Sequence, residues 1–323
     1  MLKPDMLTKK YMEIYSNAAH MVEVFRQDKG TDIDWPEWCY LPVAASYAII
    51  SEVREDMRIA SPDIGNLAAI LNWRPTKGVY RFDPELLESL WNVDLDRGLP
   101  VDLFFQRLPA WCCYIDLEGF LPAEDRGLYG FFIYLESDAK TGGREIRLTM
   151  VFHLDDPAPQ MMTIPFHADA GKTVGDMLKG AVDYTLAHSP WARSPSGASL
   201  EEEAHLYYPL FSLGLYLCSA ERDIMGPPKQ RKVRKTKNPK KQKRQLPVEY
   251  RVGSAIGSVI RRARATGGGS SGTGTNKSPH IRRAHYHLYW TGKGRSVPSV
   301  KFIPPVPVNI GDEPVVPIVR MVK

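Results

Sequence analysis

The sequence predicts an α+β fold: a helical N-terminal part, a central, mainly antiparallel sheet flanked by helices, and a basic C-terminal tail returning as strands. Two observations predict it. Between Cys112 and Phe166, short runs rich in β-branched and aromatic residues follow one another with no helical pattern between them, which suits hairpin connections. On either side stand segments whose apolar residues recur at spacings of three and four, the signature of helices with one buried face. The 323 residues, 43% hydrophobic and 24% charged, suffice for a substantial core. No apolar run approaches the ~18 residues that would span a bilayer, so no membrane partner is expected. Met1–Tyr15 lacks the apolar stretch of a secretory signal, which predicts a cytoplasmic protein.

Residues 6–27 read as one amphipathic helix, with Met12, Tyr15, Ala19, Val22 and Phe25 on one face and Gly30 ending it. A loop holding Trp35, Pro36 and Trp38 leads to a second helix over 43–57. Ser61-Pro62-Asp63 reads as a cap followed by a first-turn proline, opening a helix through Leu71. Asp83-Pro84-Glu85 opens another, ending near Trp91. Strands are predicted at Cys112–Leu117, Gly130–Leu135, Ile146–Leu154 and Met161–Phe166, with Gly142-Gly143 turning the second into the third. Helices follow at 173–188 and 200–222, the latter with Glu201, Glu202 and Glu203 in its first turn, where they suit the helix dipole. Residues 250–264 read as a strand end and a short helix, and His280–Phe302 as two strands around the Gly292–Gly294 turn.

Charge divides the chain more sharply than pattern does. Residues 1–228 carry 20 Lys/Arg against 34 Asp/Glu, and residues 229–323 carry 22 against 3. Three regions follow: an acidic body over 1–225, a basic linker over 226–248 and a basic segment over 249–323 that packs on the body. The linker has ten Lys/Arg, four prolines and no acid, so it has nothing to bury and is expected to be disordered. A basic module of this kind faces a polyanion, RNA or a ribosome, and gains affinity by releasing counterions. The plain alternative is a solvated tether docked on the acidic part.

The densest chemistry lies in His280-Ile281-Arg282-Arg283-Ala284-His285-Tyr286-His287-Leu288-Tyr289-Trp290. On a strand, Ile281, Arg283, His285, His287 and Tyr289 share one face and His280, Arg282, Ala284, Tyr286, Leu288 and Trp290 the other. Arginines hold phosphate, while His, Tyr and Trp stack on unpaired bases. The candidate RNA contacts are therefore Arg282, Arg283, His285, His287, Tyr289 and Trp290, joined by Lys232, Arg234, Lys240 and Lys241 of the linker. Two histidines on one face also suit the acid and base of a ribonuclease, or two ligands of a metal whose third ligand the sequence does not reveal. A structural strand needs none of these. No metal, cofactor or firm catalytic residue is expected. The glycines of 267–274 and 292–294 lack phosphate-loop spacing, and no GxSxG motif occurs. Glu136/Asp138 and Asp155-Asp156 are carboxylate pairs on predicted strand ends; such pairs can hold a metal, but they read more simply as turn residues. Cys39, Cys112, Cys113 and Cys218 form no CxxC pair and read as buried thiols.

The same tail carries a family resemblance. Its His280-Ile281-Arg282-Arg283, His285, His287, Tyr289-Trp290, Gly292 and Gly294 resemble the HIRRxHxHxYWxGxG tail of the type V-A anti-CRISPR family of AcrVA-two-like proteins. Leu108–Asp116, Leu217–Glu221 with Asp223-Ile224, and Tyr250–Gly253 resemble further family segments in the same order. The likeness extends from about residue 70 to 310; the N-terminus and the lysine-rich run at 229–244 depart from it. The resemblance implies an inhibitor that lowers the amount of the type V-A CRISPR effector in the bacterial cytoplasm. It would recognise the effector's nascent N-terminal peptide and trigger loss of the encoding mRNA, at the ribosome and with a host ribonuclease as a further partner.

Overall fold

The computed structural model describes residues 3–117, 127–139, 141–152, 160–188, 207–226, 247–266 and 280–308. A seven-stranded mixed sheet forms its centre. Its strands are β1 (Gly78–Phe82), β2 (Cys112–Asp116), β3 (Leu128–Ser137), β4 (Arg144–Phe152), β5 (Gln160–His167), β6 (Ile224–Met225) and β7 (Val248–Val252), in the spatial order β5-β4-β3-β2-β1-β7-β6. The run from β2 to β5 is antiparallel throughout, as the sequence predicts. The hairpin turn sits where the glycines place it: Gly142 has φ +68°, and its amide donates to the Asp138 carbonyl at 2.8 Å. The other half departs from the pattern, because β1 runs parallel to both β2 and β7.

The helices cover both faces. On one side lie α1 (Lys3–Ile14), α2 (Ala18–Asp28), α3 (Val43–Ser51) and α4 (Met57–Trp73); on the other lie α5 (Pro84–Trp91), α6 (Asp102–Arg107), α7 (Val174–His188) and α8 (Tyr208–Cys218). Strand residues therefore point alternately into two cores. Cys113, Ile115, Phe131 and Ile133 enter one, while Cys112, Tyr114, Phe132 and Tyr134 enter the other. A strand buried on both faces reads as a continuous apolar run. Helix α8 is buried from Leu210 to Cys218, and is accordingly apolar all round.

Several elements differ from expectation for visible reasons. The single helix predicted over 6–27 breaks at Tyr15–Asn17, where the Tyr15 hydroxyl turns to donate to Asp63 Oδ2 and the Asn17 amide to Glu52 Oε2 at 2.9 Å. The helix predicted over 43–57 ends at Ser51, because Glu52–Asp56 offers no apolar stripe. Helix α4 begins at Met57, so Pro62 lies inside it; a proline so close to the start forfeits one backbone bond. Asp83 caps α5 as predicted, its Oδ1 accepting from the Glu85 amide at 3.1 Å. Residues 200–206, with the three glutamates, lie outside the described residues, as do Asp155-Asp156 and the glycines at 267–274.

Beyond β7 come α9 (Ser254–Thr266), β8 (His280–Arg282), β9 (His285–Thr291), β10 (Val297–Ile303) and β11 (Val306–Val308). Strands β9 and β10 form an antiparallel hairpin, and β8 pairs with β11. No described helix is long and apolar enough to cross a membrane.

Candidate nucleic-acid interface

The predicted tail strand is two strands, and the break has a cause on the partner side. In register, His285 pairs with Ile303 and Arg282 with Val306. Arg283 and Ala284 thus stand opposite Pro304-Pro305, and the second proline has no amide with which to continue a ladder. Within β9 the predicted alternation holds. Tyr286 faces the core, while His285, His287 and Tyr289 share the outer face.

The inner face fastens the hairpin. The buried Tyr286 hydroxyl donates to the Ser212 carbonyl of α8 at 2.6 Å, and burial drives its pKa well above the ordinary phenol value. Its ring lies 5.4 Å from Phe302, which meets Tyr216 edge-on at 5.8 Å. The Ala220 amide donates to the Val300 carbonyl at 3.0 Å. On the outer face Lys301, opposite His287, bridges Glu221 at 2.7 Å. Such anchoring holds the outer residues on a rigid ribbon.

Beside the hairpin lies a groove of about 1050 Å³, walled by Ser89 of α5, Asn92, Val93 and Asp94 just after it, Ile260 of α9, Arg282, Arg283, Ala284 and His285 at the strand junction, and Pro305. Arg282 and Arg283 are exposed. The His285 Nδ1 lies 3.3 Å from the Arg283 carbonyl. His287 does not line the groove; its ring tilts against that of Tyr289 at 4.3 Å. The structure therefore brings Arg282, Arg283 and His285 together and sets His287 with Tyr289 along the ribbon. Trp290 projects from the opposite face, half exposed. Lys232, Arg234, Lys240 and Lys241 lie outside the described residues.

Sequence reasoning passed over three cations. Arg261, on α9, is tied by both oxygens of Asp83 at 2.9 and 3.1 Å. Lys293 and Arg295 crown the hairpin in a turn where Gly292, Gly294 and Arg295 have φ of +78°, +70° and +53°. The glycines signalled the turn, but not that its tip would stand clear of the body. Other candidates fall to the core. Burial raises Cys113 to about 12 and Cys112 well above the usual thiol range, which leaves both unreactive. Asp138 is a turn residue, accepting from the Thr141 amide at 2.7 Å.

Comparison with known proteins speaks for the family and the fold. The model of the AcrVA2-like family, described as the anti-CRISPR type V subtype A2 family, matches residues 80–310, from β1 through the hairpin. Protein FinQ of Escherichia coli is 24% identical over 284 residues, covering 79% of each chain. The crystal structure of AcrVA2 superposes with a TM-score of 0.60 at 22% identity, covering 95% of this chain and 98% of the other; at that identity the likeness speaks for the fold.

Proposed function

Because the chain belongs to the AcrVA2-like family of type V subtype A anti-CRISPR proteins, we propose that it lowers the level of a type V-A CRISPR effector by binding the effector's nascent N-terminal peptide and bringing about loss of its mRNA. The observation that carries the reading is the family match, which spans both the sheet and the basic hairpin. The fold supports it by joining two unlike surfaces in one framework. The acidic part offers a cavity of about 280 Å³ walled by Trp38, Phe105 and Trp111, a shape that takes one apolar side chain of a peptide. The tail offers Arg282, Arg283, His285, His287, Tyr289 and Trp290, and the linker Lys232, Arg234, Lys240 and Lys241, to the transcript or the ribosome. Transcript cleavage is assigned to a recruited host ribonuclease.

The test uses the purified full chain with a photoreactive peptide copying the effector's first residues, and separately with the effector transcript. The peptide should crosslink mainly within residues 1–228, and the transcript should stay intact. Crosslinks confined to residues beyond 229 would overturn the peptide assignment. Turnover of transcript beyond stoichiometry, abolished by His285→Ala or His287→Ala, would make the protein itself the ribonuclease.

A further inference from the structure

We infer that the tip of the β9–β10 hairpin is a two-sided stacking platform for unpaired RNA. The inference rests on the RNA contact proposed above and names the element that makes it and the form of RNA it takes. Tyr289 and Trp290 are neighbours in one strand, so their rings project from opposite faces of a two-stranded ribbon. Such rings are normally buried against something, yet here they are 45% and 48% exposed. The reason is local. The contacts that fasten the hairpin run through Tyr286, Val300 and Phe302; Pro298 and Ser299 opposite the two rings are also buried, whereas every residue from Tyr289 to Val297 is exposed. On one face the His287 ring, 4.3 Å from Tyr289, enlarges the stacking surface.

Along the hairpin's own sequence the charge is of one sign, and Glu221, which lies beside Lys301, is held by it at 2.7 Å. Lys293 and Arg295 stand exposed in the turn between the two faces, and no Asp or Glu occurs between His280 and Gly311. Aromatic faces with adjacent cations bind single strands, each base stacking on a ring while its phosphate meets a cation. A duplex hides its base faces, and the deep, narrow major groove of A-form RNA excludes a ribbon of this width. A lipid surface also attracts aromatic and cationic side chains. The leading end of this hairpin, however, is Gly292-Lys293-Gly294-Arg295-Ser296, so insertion into a bilayer would bury two charges ahead of either ring, at high cost.

The experiment measures equilibrium binding of the full chain to labelled oligouridine, to a blunt-ended RNA duplex and to vesicles containing anionic lipid. Oligouridine should bind best. Tyr289→Ala and Trp290→Ala should each weaken it roughly tenfold, while Tyr289→Phe and Trp290→Phe, which keep a ring, should retain most of the affinity. Lys293→Gln and Arg295→Gln should each lower the salt slope by about 0.7, a readout that loss of a ring would leave alone. If both alanine variants bind oligouridine like the wild type, the platform is refuted, and RNA contact elsewhere on the chain survives. If the wild type fails to bind oligouridine at low salt, the platform and the RNA contact fall together. Equal affinity for the duplex, or binding to vesicles in preference to RNA, would also overturn the inference.

Discussion

Glu136 shows how a single side chain can record the cost of its position. It lies on β3 with no exposed surface; its Oε1 accepts from the Val43 amide at the start of α3 at 2.8 Å, and its Oε2 is buried without a hydrogen-bond partner. Burial raises its pKa to about 8. The Arg147 guanidinium opposes the rise, and Glu145, its cross-strand partner, adds to it. The folded protein therefore keeps a proton that the unfolded chain releases near the ordinary value of 4.5. The folded state binds more protons across that window, so this residue's contribution to stability is full below about pH 4.5 and is lost as pH rises to about 8. Glu136→Gln keeps the acceptor for Val43 and cannot ionise. It should exceed the wild type in urea stability at pH 8 by on the order of 1–3 kcal/mol, with the gap closing near pH 5. A gap equal at both values would mean that the carboxyl does not titrate there. In the sequence, Glu136 and its neighbour Asp138 look alike, and only Asp138 is the turn residue expected of both. One-dimensional spacing does not say which of two nearby carboxylates the fold covers.

Elements were legible where one local pattern decided them. Strands β2 to β4 announced themselves because both of their faces are buried, the edge strand β5 through its short run Met161–Phe166 between polar segments, and the cap at Asp83 because its chemistry is local. Helix α6, with six residues, is too short to show a period, and strand β1 is a five-residue run interrupted by Arg81; both went unread. Their identity comes from neighbours far away in the chain, as when β1 is claimed by β2 and β7. In the candidate site, the face shared by His285, His287 and Tyr289 was legible from alternation. The break at Arg283–Ala284 was not, because it depends on Pro304-Pro305 across the ladder. The docking of α9 is another long-range event. Asp83 both caps α5 and holds Arg261, and a Cβ on Gly257 would come within 2.0 Å of its Oδ1. Gly257→Ala should therefore displace the carboxylate, loosening cap and ion pair together, at a cost of about 1–3 kcal/mol. Asp83→Ala alone should cost about 1 kcal/mol through the lost cap. Because the two act on one contact, the double variant should be less destabilised in denaturant titration than the two single costs combined. Full additivity would show that Gly257 and Asp83 do not share that contact.

Across the whole molecule, charge and topology are divided differently. By charge the chain changes character near residue 228, yet the strand that follows, β7, lies inside the central sheet between β1 and β6. Farther on, Tyr286, Val300 and Phe302 belong to the same core as Phe131 and Leu148. The basic segment is thus half framework and half surface. This separates two deletions that the sequence alone makes look similar. Ending the chain at residue 228 removes β7, which leaves β1 with an unpaired edge, and strips the cover from α8. Replacing residues 229–244 with a neutral spacer of equal length removes only an acid-free, proline-containing run with nothing to bury. The truncated chain should lose cooperative thermal unfolding or melt far below the full chain, since large buried residues such as Tyr286 and Phe302 each leave a cavity when removed. The spacer variant should melt within ~5 °C of the wild type while its affinity for oligouridine falls and its salt slope flattens. A truncated chain that melts like the full one would show that the acidic part is complete without β7. A spacer variant that melts much lower would show that the run is packed, and one with unchanged salt dependence would leave the exposed cations of the hairpin and the strand junction as the principal polyanion contact.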